Sequence, residues 1–239
     1  MKFEGTYVEG KILRRYKRFF ADVELSTGEI VVAHVPNTGS MATCYAPGWR
    51  AFMSQNNDPK KKLKYGLIML HNRKTWIGID TGIPNKLAAE AITRGDVPEL
   101  KGYKNIRREI RLDKGRLDLL LHNGEADDGT DDPKRCYVEI KNVTLLGEKA
   151  LALFPDAVST RGLKHLQMLM DLKKKGFRAV MLYIVQREDI KGFAPAEHID
   201  PEYARNLTLA RKKGVEVLVY GCELSPSGIG LKRSLPLNF

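Results

Sequence analysis

The sequence predicts a mixed α/β protein in two parts: a small N-terminal β-barrel over residues 1–82 and an α/β domain with a central mixed sheet over 83–239. Three observations carry this. Short, alternately apolar segments separated by turn residues fill the first third of the chain. Helix-period segments closed by glycine then alternate with strongly apolar strand segments. Charged residues stand inside two of those apolar strands, Asp118 in R-L-D-L-L-L and Glu139 with Lys141 in C-Y-V-E-I-K-N-V-T.

In the first part, strands are predicted over 7–13, 20–25 and 29–35, with Ser26-Thr27-Gly28 turning the chain between the last two. Further strands follow over 50–54, 65–71 and 75–79. Short strands in such number and length suggest a small barrel, of which the oligonucleotide-binding fold is the commonest small example. This part holds 13 Lys/Arg against seven Asp/Glu. Two clusters interleave cations with aromatics: Arg14, Arg15, Lys17 and Arg18 beside Tyr16, Phe19 and Phe20, and Lys60, Lys61, Lys62 and Lys64 beside Tyr65. That pairing fits a groove that neutralises phosphates while rings stack on bases. The competing reading is two aromatic core residues beside a solvated turn. Asn37 and Thr38, in the loop Pro36–Ser40, are small polar groups that suit phosphate contact or simply shape a turn.

In the second part, Asn85 is placed as the cap of a helix to about Arg94, ended by Gly95. Glu90 shares a face of it with Leu87 and Ala91, at spacings of three and four. A strand over 106–112 turns through Asp113-Lys114-Gly115 into the Asp118 strand. The acidic run 125–132 lacks the ligand spacing of a calcium loop and reads as a solvated tip. After the Glu139 strand, a helix runs from about 159 to 175, with Leu163, Leu166 and Met170 on its apolar face and Gln167 among them. A central strand over 178–186, a helix capped by Asp200, a strand from 215 and a closing hairpin complete the layers.

Side chains two apart on a strand share a face, so Tyr137, Glu139 and Lys141 point one way while Val138 and Ile140 pack behind. Charges in an apolar strand are costly unless paired or bound to something. If the two strands are neighbours, two carboxylates and a lysine converge. Hard Mg²⁺ takes oxygen ligands of this kind. Mn²⁺ would serve equally, with the Ile140 carbonyl as a further ligand beside Asp118 and Glu139. E-x-K recurs by chance in a lysine-rich chain; the apolar strands around it are what separate a site from a surface pair.

The formal charge of +11 over 239 residues points to a polyanionic partner, most simply nucleic acid. Cys44, Cys136 and Cys222 are odd in number and far apart, which fits neither a zinc site nor a disulfide framework and predicts a cytoplasmic, reduced protein. No apolar run reaches membrane-spanning length, so no membrane partner is expected. The oligomeric state is left open, a homodimer being one option.

The element order, with a glutamate on the first helix, an aspartate on the second strand and E-x-K on the third, resembles the PD-(D/E)XK restriction-endonuclease-like fold. The stretches H-V-P-N-T-G-S-M, C-Y-V-E-I-K-N-V-T-L, L-F-P-D-A-V-S-T-R-G-L-K-H-L and V-Q-R-E-D-I together resemble the sugar fermentation stimulation protein A family, essentially from end to end. That resemblance implies an N-terminal oligonucleotide-binding domain, a nuclease-like C-terminal domain and DNA, double- or single-stranded, as partner. It implies Asp118, Glu139 and Lys141 as the nuclease core, Glu90 as the helix carboxylate and Gln167 as a helix residue near the site. Leu117 stands where the fold's name puts proline. The family's name also implies an alternative, a non-catalytic regulator of sugar metabolism that retains the fold.

Overall fold

Alternation of apolar side chains builds the first half of the molecule. The structure is a computed structural model that describes residues 1–58, 60 and 62–239; Lys61, one of the expected phosphate contacts, lies outside the described residues. Strands β1 (Thr6–Tyr16), β2 (Phe20–Leu25) and β3 (Ile30–His34) form an antiparallel meander. β4 (Arg50–Gln55) pairs with the other edge of β1, β5 (Tyr65–His71) with β4, and β6 (Trp76–Gly78) with β5. β3 then meets β5 in parallel, Ala33 opposite Tyr65, and closes the sheet into a barrel. Closure removes exposed edges and encloses Ile12, Val23, Val31, Ala33, Met53 and Leu67. β1 serves two neighbours, and at Gly10 it lies so close to β2 that a Cβ would fall 2.7 Å from the Glu24 carbonyl oxygen; only glycine permits that approach.

Helix α1 (Ile83–Arg94) follows. Then come β7 (Asn105–Leu112), β8 (Gly115–His122) and β9 (Cys136–Val143), with the short β10 (Leu145–Leu146) and β11 (Leu151–Phe154). After α2 (Thr160–Lys174) the chain runs through β12 (Arg178–Val185), β13 (Gly192–Pro195), α3 (Pro201–Lys212), β14 (Glu216–Ser225) and β15 (Gly228–Ser234). The main sheet has the order β15-β14-β12-β9-β8-β7. Its centre, β9-β12-β14, is parallel and its flanks are antiparallel. Ser159 and Asp200 cap α2 and α3 by accepting the N–H of Gly162 and Tyr203, at 3.0 and 2.9 Å. The chain is thus an N-terminal barrel and a mixed α/β unit. The small sheet β10-β11-β13 is absent from the sequence expectation, because its strands are too short to show a period.

The main sheet is covered on both faces. On one, Val138, Ile140, Val180 and Leu182 pack with Leu87 and Ile92 of α1 and with Phe52, Met69 and Trp76 of the barrel. On the other, Tyr137, Met181 and Tyr183 pack with Leu166 and Leu169 of α2 and Leu207 of α3. The barrel therefore shares a core with the α/β unit. A buried polar seam reinforces the join: Arg187, 1% exposed, donates to the Thr144 carbonyl at 2.7 Å and reaches Thr43 of the barrel while ion-pairing with Asp189.

Candidate active site

The site starts from a ladder that stops. β8 and β9 pair from Leu121–Cys136 to Leu119–Val138 and no further. Across the next step, on β7, Glu109 holds a left-handed φ of 58° and Asp118 has no ladder partner. The parity of β8 slips there: Leu117 packs on the α2 face, whereas Leu119 packs on the α1 face. Asp118 sits at the slip, in the opening between the strands. Its Oδ2 accepts the Ile140 N–H at 2.8 Å, and its Oδ1 accepts from Asn85 Nδ2 at 2.7 Å.

Across the opening, Glu139 and Lys141 point to the α2 face together with Tyr137, as their spacing requires. Glu139 is 2% exposed. Lys141 Nζ lies 2.5 Å from Glu139 Oε1 and 2.9 Å from Nδ1 of His165, and His165 Nδ1 closes the triangle on the same Glu139 oxygen. The other oxygen, Glu139 Oε2, is buried and has no hydrogen-bond partner among the described residues.

These contacts drive the two carboxyls apart in acidity. Burial, then the neighbouring charge of Glu139, raises Asp118 above the usual carboxylate range, with the Ile140 N–H, Lys141 and Asn85 opposing only in part. Glu139 is also penalised by burial, but the His165 hydrogen bond and the Lys141 charge outweigh that and hold it below its ordinary value. An anion held in the interior beside a second carboxyl that resists ionising is an environment short of positive charge. A divalent cation would supply it. The donor set fits a hard one: two carboxylates, one with an orphaned buried oxygen, with water and phosphate left to complete the shell. Among the described residues no three His, Cys, Asp or Glu side chains stand together as a ready-made cage. Such a site therefore takes the rest of its ligands from outside the side chains, as Mg²⁺ commonly does.

The structure brings Asp118, Glu139 and Lys141 together but leaves Glu90 and Gln167 elsewhere. Glu90 pairs with Arg94 at 2.6 Å and with the amino terminus at 3.1 Å. The α1 residue that reaches Asp118 is Asn85, about 140° around the helix from Glu90. Asn85 is no cap: Pro84 occupies the first turn, the helix begins at Ile83, and the Asn85 side chain is free to project to the sheet. Gln167 is exposed and bonds Asp171 at 2.8 Å. The buried stripe of α2 is Gly162, His165, Leu166, Leu169 and Leu172, so His165 faces the site. A histidine at that spacing, one turn before Leu169, was the signal available in the sequence.

The basic clusters divide. Arg15 donates to the carbonyls of Arg18, Asn37, Gly39 and Ser40, and Arg18 donates twice to the Thr38 carbonyl, at 2.6 and 2.9 Å. Both guanidiniums thus shape the Pro36–Ser40 loop. Arg14 pairs with Asp22 at 2.6 Å and lies over the Tyr16 ring. Asn37 is buried, its Oδ1 accepting the Gly39 N–H, while the Thr38 side chain is exposed. Lys17, Lys60, Lys62 and Lys64 are exposed and, among the described residues, form no ion pair. Lys62 and Lys64 edge a cleft of about 390 Å³ with His34, Ser54 and Asp80. Among the described residues no helix is long and apolar enough to cross a membrane.

Comparison with known proteins places the chain among relatives. Residues 82–228 match the family described as "Sugar fermentation stimulation protein RE domain", and residues 13–79 match "SfsA N-terminal OB domain". The sugar fermentation stimulation protein homolog of Geotalea uraniireducens is 49% identical over 95% of each chain, and that of Shewanella loihica is 47% identical over 100% of each. Among solved structures, Pyrococcus furiosus SfsA in complex with Ca²⁺ superposes with a TM-score of 0.85 over 100% of both chains, at 28% identity.

Proposed function

The chain belongs to the sugar fermentation stimulation protein family, and from that premise we propose that it binds DNA and cleaves its phosphodiester bonds at Asp118, Glu139 and Lys141 with a divalent cation, Mg²⁺ or Mn²⁺. The observation that carries this reading is the buried Oε2 of Glu139, which has no hydrogen-bond partner among the described residues, near the Asp118 carboxyl. The Pyrococcus furiosus relative, described with Ca²⁺, supports a divalent cation as the missing partner. When bound, such a cation polarises a phosphate oxygen and makes water a better nucleophile at neutral pH.

The chain's own groups have separate tasks. Asp118 and Glu139 would hold the cation, with the Ile140 carbonyl as a backbone ligand. Asn85 and the Ile140 N–H fix the rotation of the Asp118 carboxylate. Lys141 carries its charge into the opening, where it orients the attacking water and offsets negative charge developing on the phosphate. His165, donating its Nδ1–H to Glu139, holds that carboxylate ionised, and Glu139 in turn holds Lys141. The exposed lysines of the barrel attract the phosphate backbone without reading sequence.

The test is direct. Metal-free protein is incubated with plasmid and with single-stranded DNA, with and without Mg²⁺ or Mn²⁺, beside a Lys141→Ala variant. Cation-dependent cleavage that disappears in the variant, with DNA binding retained, supports the proposal. Binding without cleavage of any substrate would make the protein a DNA-binding regulator that retains a nuclease fold.

A further inference from the structure

We propose that the cleft between the Pro36–Ser40 loop of the barrel and the end of β9 receives one nucleobase of the bound strand, next to the phosphate to be cut; this rests on the reading that the chain binds nucleic acid at Asp118 and Glu139. The cleft holds about 180 Å³. A cavity of about 150 Å³ takes a benzene ring, so this one has the size for a single heterocycle rather than a stacked pair.

Its chemistry selects a base over a phosphate. No lysine or arginine lines it, and Asp156 puts a carboxylate at its wall. Phosphate would meet repulsion there without a partner. Leu145, Leu153 and Phe154 supply the apolar part of its wall, and Thr38, Thr81 and Asn142 supply neutral hydroxyl and amide groups beside them. Apolar faces with a neutral polar rim are what an unstacked base meets in enzymes that draw one out of the stack. Asp156 Oδ2 already accepts the Ser40 N–H at 2.9 Å. Its Oδ1 makes no hydrogen bond among the described residues and can accept from a base N–H, such as N3–H of thymine.

The cleft is held in shape before any ligand arrives. A Cβ on Gly39 would come 2.2 Å from Asp156 Oδ2, so the loop lies close against the α/β unit and a larger residue there would have to displace the Asp156 side chain. Arg15 and Arg18 grip the loop carbonyls from the barrel side. The cleft also adjoins the reaction centre. Val143, which lines the cleft, lies two residues past Lys141 on the same face of β9, a rise of about 6.6 Å along the strand. Past Val138 that strand has no β8 neighbour, which leaves an open edge between site and cleft.

Photocrosslinking tests this. The probe is a short single-stranded oligothymidylate carrying 4-thiothymidine, irradiated on the full chain without added cation, with adducts mapped by peptide mass spectrometry. Binding is followed separately by fluorescence anisotropy. Adducts are expected on 36–39, 142–145 or 153–156. In Thr81→Trp, which fills the cleft, they should fall about tenfold, the factor that one seated base supplies at about 1.4 kcal/mol. Overall affinity should fall by no more than about that same factor, since phosphate contacts supply the rest of it. Leu153→Phe, a smaller filling, decides the matter if Thr81→Trp lowers the melting temperature. Bound oligonucleotide whose adducts lie only elsewhere, or persist in both variants, would overturn the base pocket while leaving DNA binding intact. No binding at all would remove the underlying reading and this one with it.

Discussion

Asp118 Oδ2 takes the backbone N–H of Ile140 at 2.8 Å, the hydrogen bond that a carbonyl of β8 would make had the ladder continued. A side chain thus ends a strand pair and opens a sheet between its own carboxylate and that of Glu139. Under the proposed function, the opening would let a phosphate reach backbone and carboxylates together, which an unbroken ladder would deny.

Asp118→Asn keeps the shape of this contact and removes the charge. Titration calorimetry with Mg²⁺ or Mn²⁺ should show affinity at least about tenfold weaker, or about 1.4 kcal/mol. Asp118→Ala should lose the cation and also about 1–3 kcal/mol of stability, since the buried Ile140 N–H is left unsatisfied. Wild-type cation affinity in Asp118→Asn would remove Asp118 from the site.

On the proposed function, His165 would act on the ligand Glu139 rather than on the substrate. His165→Ala should lower cation-dependent cleavage by about 10- to 100-fold, the usual cost of removing a residue that orients a ligand, with the Kd for DNA nearly unchanged. His165→Gln retains a donor near Glu139 and should recover part of the rate. Equal rates in all three proteins would reduce His165 to packing.

The structure and the sequence pattern disagree about α1 and α2, which makes a clean comparison. Asn85→Ala should weaken cation binding, because Asp118 is left with one of its two orienting bonds. Glu90→Gln and Gln167→Ala should leave both cation affinity and cleavage within about twofold, as expected of surface groups far from such features. A loss of cleavage in Glu90→Gln comparable with that in Asp118→Asn would restore the helix carboxylate.

What could be read in advance follows from range. Alternation on β2, β3 and β9 is local, and it placed the barrel strands and put Tyr137, Glu139 and Lys141 on one face. The helix partners failed for a local reason too. A misplaced phase on α2 exchanged His165 for Gln167, and a misplaced start on α1 made Asn85 a cap. The slip at Glu109 and Asp118 has no signature in hydropathy, since Leu117 and Leu119 are equally apolar on either face. The role of Arg15 and Arg18 was equally hidden. A guanidinium that binds carbonyls of a distant loop looks, in sequence, like one free for phosphate.

That last distinction can be measured by salt dependence. Replacing Lys60, Lys62 and Lys64 with alanine should flatten the log–log slope of DNA affinity against salt by about 0.7 to 0.9 for each phosphate that is no longer neutralised. Arg15→Ala should instead lower thermal stability, because four loop carbonyl groups are left without their donor. A slope unchanged by the three lysine replacements would move the DNA path away from this side of the barrel.

The seam between barrel and α/β unit gives a pH prediction with a defined sign. Burial disfavours charge on Asp189, but the Arg187 hydrogen bonds at 2.7 and 2.9 Å, the Arg187 charge and Asn72 outweigh it and hold the carboxyl below its ordinary value. A carboxyl lowered in the folded state contributes stability that is present above its unfolded pKa, about 3.9, and is lost as pH falls through the folded value. Urea unfolding across acid pH should therefore show stability falling below about pH 4. In Asp189→Asn that acid limb should be shallower, because the titrating group is gone. Asp189→Ala should cost about 3–5 kcal/mol at neutral pH, since Arg187 is left buried and unpaired. Arg187 also ties Thr144 to the barrel, so the same variant should loosen the Pro36–Ser40 loop against β9 and raise hydrogen exchange there. An Asp189→Asn protein with an undiminished acid limb would assign that limb to other carboxyls and leave the Arg187 pair without a part in joining the two units.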